Sequence, residues 1–253
     1  MSVEAPNNIK FQSPLNPSKT AKSPSDISAF QELFYSQSSQ YKKREDFSPR
    51  SPKQRTLWME YPSGDHQHIE SALKQMTSLK QDGLLKFTNI KSHHHSFNSV
   101  LNGVQQTPTM RHLIIRQSSL SHHHLQTVAK VLQLNDGIAW LVLDHNKIDD
   151  RGVREIADGL SANKGIKHVV LSDNLIKDDG AMSVAQSLKK HPNVESLWLQ
   201  GNQISDNGVE AICQLVENHS TLKTIDLRDN QISPSKLGII QTLCEKKGIR
   251  CYG

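Results

Sequence analysis

From Ile138 onward the chain repeats itself every 28 residues. Four consecutive units read IAWLVLDHNKIDDRGVREIADGLSANKG, IKHVVLSDNLIKDDGAMSVAQSLKKHPN, VESLWLQGNQISDNGVEAICQLVENHST and LKTIDLRDNQISPSKLGIIQTLCEKKGI. Apolar residues stand at unit positions 1, 4 and 6, Asn at 9 and Ile at 11. Positions 16, 19 and 23 are mostly apolar, which is the spacing of a helix face. Each unit therefore predicts a short strand, a loop and a helix. A fixed period of this length predicts a solenoid in which each unit packs on its neighbours.

The same ruler extends backwards through weaker units at 110–137, 82–109 and 54–81, so the expected series is 54–81, 82–109, 110–137, 138–165, 166–193, 194–221 and 222–249, with a C-terminal cap beyond. The motif L-x-x-L-x-L-x-x-N-x-I followed by D-x-G is carried by Leu141, Leu143, Asn146, Ile148, Asp150 and Gly152. It recurs through Leu171, Asn174, Ile176, Asp178 and Gly180, and through Leu197, Leu199, Asn202, Ile204, Asp206 and Gly208. On these residues the chain resembles leucine-rich-repeat proteins of the ribonuclease-inhibitor type over residues 54–253. The resemblance implies an α/β fold: a right-handed solenoid, or horseshoe, with parallel strands on the concave side and helices on the convex side.

An Asn at position 9 falls where the strand turns into the loop and backbone groups lack a ladder partner. An amide offers two donors and an acceptor, so Asn146, Asn174, Asn202 and Asn230 are expected to satisfy successive turns as a ladder. The earlier units carry Ser118, Ile90 and Pro62 there, so the ladder should fade toward the N-terminus. The Asp at position 13 is expected to cap the helix of its own unit.

Strand side chains alternate, so positions 3, 5, 7 and 8 are assigned to the concave face. This places Trp58, Trp140 and Trp198 there, with Ile114, Val142 and Val170 completing an apolar stripe. His112, Arg116, Asp144, His145, His168, Asp173, Asp226, Arg228 and Asp229 flank it. Scattered exposed apolar residues are ordinary. A contiguous stripe with a charged rim, however, has the anatomy of a protein interface, in which Trp is an enriched hot-spot residue.

Thirteen histidines are present, and His66, His94 and His122 share position 13. Stacked imidazoles can bind a transition metal or charge together in mild acid. No cysteine joins them and no zinc-ligand spacing appears, so the expectation is an exposed polar loop without metal or cofactor. The three cysteines, Cys213, Cys244 and Cys251, form no disulfide framework and read as free thiols of a reducing compartment. The net charge of +5 is a weak argument for nucleic acid. Residues 1–53 are rich in Ser, Pro and Lys and are expected to be mostly disordered, with one short helix over 26–35 where Ile27, Phe30 and Phe34 share a face.

No phosphate-binding glycine loop, nucleophile elbow or zinc-enzyme motif occurs. The expected function is a non-catalytic, cytoplasmic module that binds a folded protein, inhibiting or tethering it, as the resemblance implies. Stand-alone repeats of this kind also occur among effectors that bacteria deliver into the host cytosol. Two alternatives come from other classes. One is a GTPase-activating protein, as some relatives of this repeat type are. The other is a tail that binds nucleic acid or anionic membrane. No transmembrane segment is expected, and the chain should act as a monomer or in a heterocomplex.

Overall fold

The 28-residue period is the register of one parallel sheet. Leu57 pairs with Leu85, Leu85 with Leu113, Leu113 with Leu141, Leu141 with Val169, Val169 with Leu197 and Leu197 with Ile225. The computed structural model describes residues 57–58, 83–88, 95–105 and 107–253, all within a unit running from Arg55 to Gly253. The expected helix over 26–35, and most of the unit 54–81, lie outside the described residues.

Eight strands follow chain order from one end of the sheet to the other: β1 (Leu57–Trp58), β2 (Gly83–Thr88), β3 (Met110–Arg116), β4 (Trp140–Val142), β5 (His168–Val170), β6 (Ser196–Trp198), β7 (Thr224–Asp226) and β8 (Arg250–Tyr252). From β2 onward, each strand is joined to the next by one of the six described helices: α1 (His95–Gln105), α2 (His122–Leu134), α3 (Asp150–Ala162), α4 (Asp178–Leu188), α5 (Asp206–Asn218) and α6 (Pro234–Lys247). Parallel neighbours need such a crossover, because the chain must return to the same end of the sheet.

The strands from β4 on are three residues long, and a local rule ends them. Position 8 of the five units from 110–137 onward takes a left-handed backbone: Gln117 (φ 51°), His145 (φ 57°), Asp173 (φ 54°), Gly201 (φ 67°) and Asp229 (φ 55°). Glycine adopts this conformation freely, and Asp and His are enriched among the other residues that do. The chain turns there toward the helix layer.

One core runs the length of the described solenoid. From the strands it takes the rows Leu113, Leu141, Val169, Leu197, Ile225 and Ile115, Leu143, Leu171, Leu199, Leu227. From the helices it takes Val153, Ile156, Leu160, their equivalents Ala181, Val184, Leu188 and Val209, Ile212, Val216, and, in the last helix, Ile240 and Cys244. The apolar spacing read from the sequence is therefore the side of each helix that meets the sheet. The last helix, α6, has Pro234 in its first turn and ends on Gly248 in a left-handed cap (φ 69°). Lys246 and Lys247 sit in its last turn, where they complement the helix dipole.

Candidate functional site

The sheet face turned away from the helices carries two side-chain rows, read directly from the strand register. Position 3 supplies His112, Trp140, His168, Ser196 and Thr224. Position 5 supplies Ile114, Val142, Val170, Trp198 and Asp226. None of these residues is part of the helix-side core. Trp58 lies in β1, and its side chain is outside what is described.

The first row is a stack of rings. His112 and Trp140 have centroids 6.2 Å apart at 21°, and Trp140 and His168 lie 3.6 Å apart at 27°. Trp198, two strands along, stacks on Trp140 at 6.0 Å. His168 Nδ1 is 2.6 Å from Ser196 Oγ. Burial is the main cause that lowers the pKa of His168 to about 4, so at neutral pH His168 is uncharged.

Here the structure corrects an expectation. The apolar stripe was expected to be open to a partner, yet Trp198 is 3% exposed, Trp140 7%, Val142 0%, Val170 3% and Ile114 9%. Alternation along a strand assigns a side chain to a face; it carries no information on whether that face meets solvent.

The charged rim is corrected in the same way. Arg116 grips Asp144 through Nε at 2.8 and 2.7 Å and through Nη2 at 2.6 Å, and Asp144 is 2% exposed. Arg228 holds Asp226 through its backbone N–H at 3.2 Å, Nε at 3.0 Å and Nη2 at 2.6 Å, and its guanidinium lies 5.3 Å from the Tyr252 ring centroid. Both aspartates are buried counter-ions within the inner face rather than open rim charges. Side chains at position 8 reach solvent, as do Arg116 and Arg228 in part, at 28% and 38%. His145 and Asp173 are 45% and 42% exposed, with His145 Nε2 3.6 Å from Asp173 Oδ2. Asp229 is exposed and accepts from Gln200 Nε2 at 3.0 Å. The hydrogen bond to Asp144 raises the pKa of His145, whereas burial is the main cause raising that of Asp173.

Below these rows, the Asn side chains tie unit to unit. Asn146 accepts from Ser118 N at 2.7 Å and donates to Ile115 O at 2.7 Å. Asn174 accepts from Asn146 N and Ile148 N, both at 3.0 Å, and donates to Leu143 O at 2.9 Å. Asn202 accepts from Ile176 N and donates to Leu171 O; Asn230 accepts from Ile204 N and donates to Leu199 O. Every amide thus serves the preceding turn.

The Asp at position 13 does not cap its own helix. The N-caps are one residue earlier, with Ser121, Asp149, Ser205 and Ser233 each accepting from a first-turn N–H. The position-13 aspartates instead reach forward. Asp150 accepts from Lys177 N at 2.7 Å and from Gly180 N at 3.0 Å. Lys177 makes no side-chain cap, so α4 is capped by the preceding unit. Asp178 accepts from Ser205 N and Oγ, and Asp206 from Ser233 N and Oγ. A Cβ at Gly180 would stand 2.5 Å from Asp150 Oδ1. The D-x-G motif therefore gives the preceding unit's carboxylate room to approach.

The sequence reading missed a second ladder at position 26, at the helix C-terminal ends. Asn135 donates to Val104 O and Thr107 O, and Asn163 to Leu132 O and Asn135 O. His191 and His219 continue the row; both are buried, and burial is the main cause that lowers the pKa of each. Aligning the units at this position would have shown Asn, Asn, His, His in register.

Of the stacked histidines, His66 and His94 lie outside the described residues. His122 opens α2 with Nε2 3.3 Å from Asp149 Oδ1. Among the described residues no group of three or more His, Cys, Asp or Glu side chains could hold a metal, and no helix is long and apolar enough to cross a membrane.

A single parallel sheet backed by six described helices, with an Asn ladder through the last four strand-to-loop turns, is the α/β leucine-rich-repeat solenoid. The Leucine Rich repeat family profile matches residues 141–157, 162–185, 190–213 and 218–235. No curated protein matches the chain significantly. Among solved structures, a chain described as leiomodin-1 actin-binding site 2 is similar at 20% identity over 60% of this chain and 88% of that one, with a TM-score of 0.52. An internalin from Listeria monocytogenes is similar at 16% identity over 72% of this chain and 56% of that one, with a TM-score of 0.42.

Proposed function

We propose that the solenoid is a non-catalytic module that binds a folded protein through its inner face. The observation that carries this reading is the exposed row at position 8, where His145, Asp173 and Asp229 stand on successive or near-successive turns beside the aromatic stack. Neighbouring strands are about 4.8 Å apart, so the row presents closely spaced polar groups to one partner. Fixed, left-handed loops lower the ordering cost of binding. The stacked rings are the rigid floor of this surface and the loop row is its contact edge. With two carboxylates in the row, the complementary partner surface is cationic.

Bound along this face, the module acts by occlusion or tethering; if the partner is an enzyme, it is an inhibitor of the ribonuclease-inhibitor type. That type is supported by the 28-residue register and by the helix in each of the six units from 82–109 onward. We place the encounter in the cytoplasm, in keeping with three free thiols. The test is capture of a partner by the full chain, with contacts mapped by cross-linking and repeated with the triple variant His145→Ala, Asp173→Ala, Asp229→Ala. Loss of the partner from a variant that circular dichroism shows to be folded is the expected result. Retention of the partner at wild-type affinity would overturn the assignment.

A further inference from the structure

All three cysteines of the chain gather in its last two units and the C-terminal cap. Cys213 is on α5, Cys244 on α6 and Cys251 on β8. Two of them are directly juxtaposed. Cys251 pairs with Ile225 across the β7–β8 ladder, so its side chain takes the helix-facing place that Leu141, Val169, Leu197 and Ile225 hold in earlier units. Cys244 takes the sheet-facing place on α6 that Leu160, Leu188 and Val216 hold on α3, α4 and α5. The left-handed turn at Gly248 brings strand back beneath helix. Gly248 N–H donates to Cys244 O and Glu245 O, and Ile249 N donates to Cys244 O at 2.8 Å. Cys251 packs against the same core cluster that holds Cys244, and each thiol shifts the other's pKa.

The pair is asymmetric. Cys244 is 0% exposed, whereas Cys251 is partly exposed on the terminal strand of the described sheet. The neighbouring Cys244 thiol lowers the pKa of Cys251, while the same pairing and burial raise that of Cys244. A reachable thiol with thiolate character beside a second, sheltered thiol is the arrangement of an attacking and a resolving cysteine.

We propose that Cys251 and Cys244 form a thiol-oxidation site, in which Cys251 attacks a low-molecular-weight disulfide and Cys244 resolves the adduct. With glutathione disulfide as oxidant, the Cys251 thiolate attacks one sulfur and the S–S bond breaks. One glutathione leaves as thiolate, and a mixed disulfide forms on Cys251. Cys244 then attacks the Cys251 sulfur and gives up its proton to the departing glutathione. Two protein thiols are oxidised to one disulfide and one glutathione disulfide is reduced to two thiols. The product bond fastens β8 to α6 at the end of the sheet. Cys213 takes no part; burial is the main cause that raises its pKa.

The test uses the full chain, reduced and then incubated under native conditions with glutathione disulfide, followed by alkylation, intact mass and peptide mapping. The wild-type protein should lose two hydrogens and yield a Cys244–Cys251 cross-linked peptide, with Cys213 still open to alkylation. Cys244→Ala should instead accumulate a lasting glutathione adduct on Cys251, and Cys251→Ala should take up none on Cys244. Circular dichroism verifies that each variant is folded, and the wild-type map stands without the variants. No oxidation of the wild type, first modification at Cys213, or a cross-link other than Cys244–Cys251 would each overturn the proposal.

Discussion

Asp150 Oδ1 accepts the backbone N–H of Gly180, thirty residues further on, at 3.0 Å, so that the first residue of one helix caps the next. Removing a side-chain cap costs about 0.5–2 kcal/mol. Asp150→Ala should therefore destabilise the protein by about 1 kcal/mol, although Asp150 makes no capping bond within its own helix. Gly180→Ala should cost at least as much, since its Cβ would strike the same carboxylate. Urea unfolding of each variant and of the pair checks this. The double variant should cost less than the sum, because both changes break one contact.

Asn174 offers a sharper case. Its amide accepts from two backbone N–H groups and donates to Leu143 O, Leu171 O and Ser172 O. Asn174→Ala strips the partner from Asn146 N–H, Ile148 N–H and Leu143 O, at about 1–3 kcal/mol for each group orphaned, whereas Leu171 O keeps Asn202 Nδ2 and Ser172 O keeps His145 N–H. Asn230→Ala, whose amide is partly buried, should cost less. Equal losses in the two variants, measured by denaturant midpoint, would argue against the amide's bonds as the cause.

Stability should fall in mild acid. The folded-state pKa of His124, His168, His191 and His219 is lowered in each case, and burial is the largest cause. For such a base the unfolded chain binds more protons, so stability is complete above the unfolded pKa of about 6.5 and drops as pH falls toward the folded value. For His168, lowered from 6.5 to about 4, the full loss is on the order of 3 kcal/mol. His145, whose pKa is raised, opposes the trend: its contribution is present below pH 6.5 and fades as pH rises through its folded value. Unfolding free energies at steps from pH 7.5 to pH 4.5 should slope downward, and His168→Gln should flatten the slope.

Floor and edge of the inner face should separate in experiment. Trp198→Ala removes a side chain 3% exposed and should cost about 3–5 kcal/mol of folding free energy. His145→Ala and Asp229→Ala sit at exposed positions and should leave the melting temperature within a degree or two while weakening the partner. A Trp198→Ala protein as stable as wild type would mean that the indole is no part of the packed structure.

What could be read from the sequence follows which forces repeat with the period. The strand and helix rows were legible because Leu, Ile and Val recur wherever the core demands them. The Asn positions were legible because one residue type serves four successive turns. Position 8 was hidden: only Gly201 announces a left-handed backbone, while His145, Asp173 and Asp229 adopt it without a common chemistry. The caps were misplaced by one residue because the aspartate that stands out in the motif belongs to the neighbouring helix. The row of Asn135, Asn163, His191 and His219 escaped notice because its residue type changes midway. The closed aromatic stack was illegible because it depends on how rings from separate strands meet.

The polar side chains that join one coil to the next have a mechanical consequence. Asn202 and Asn230 reach back by a single repeat, and Asp150 and Asp178 reach forward by a single repeat. Own-unit caps such as Asp149 and Ser233 close part of their turns, and a neighbouring coil closes the rest. Fraying should therefore advance stepwise from an end, each melted repeat orphaning donors in the one beside it, like a zip whose teeth part in order.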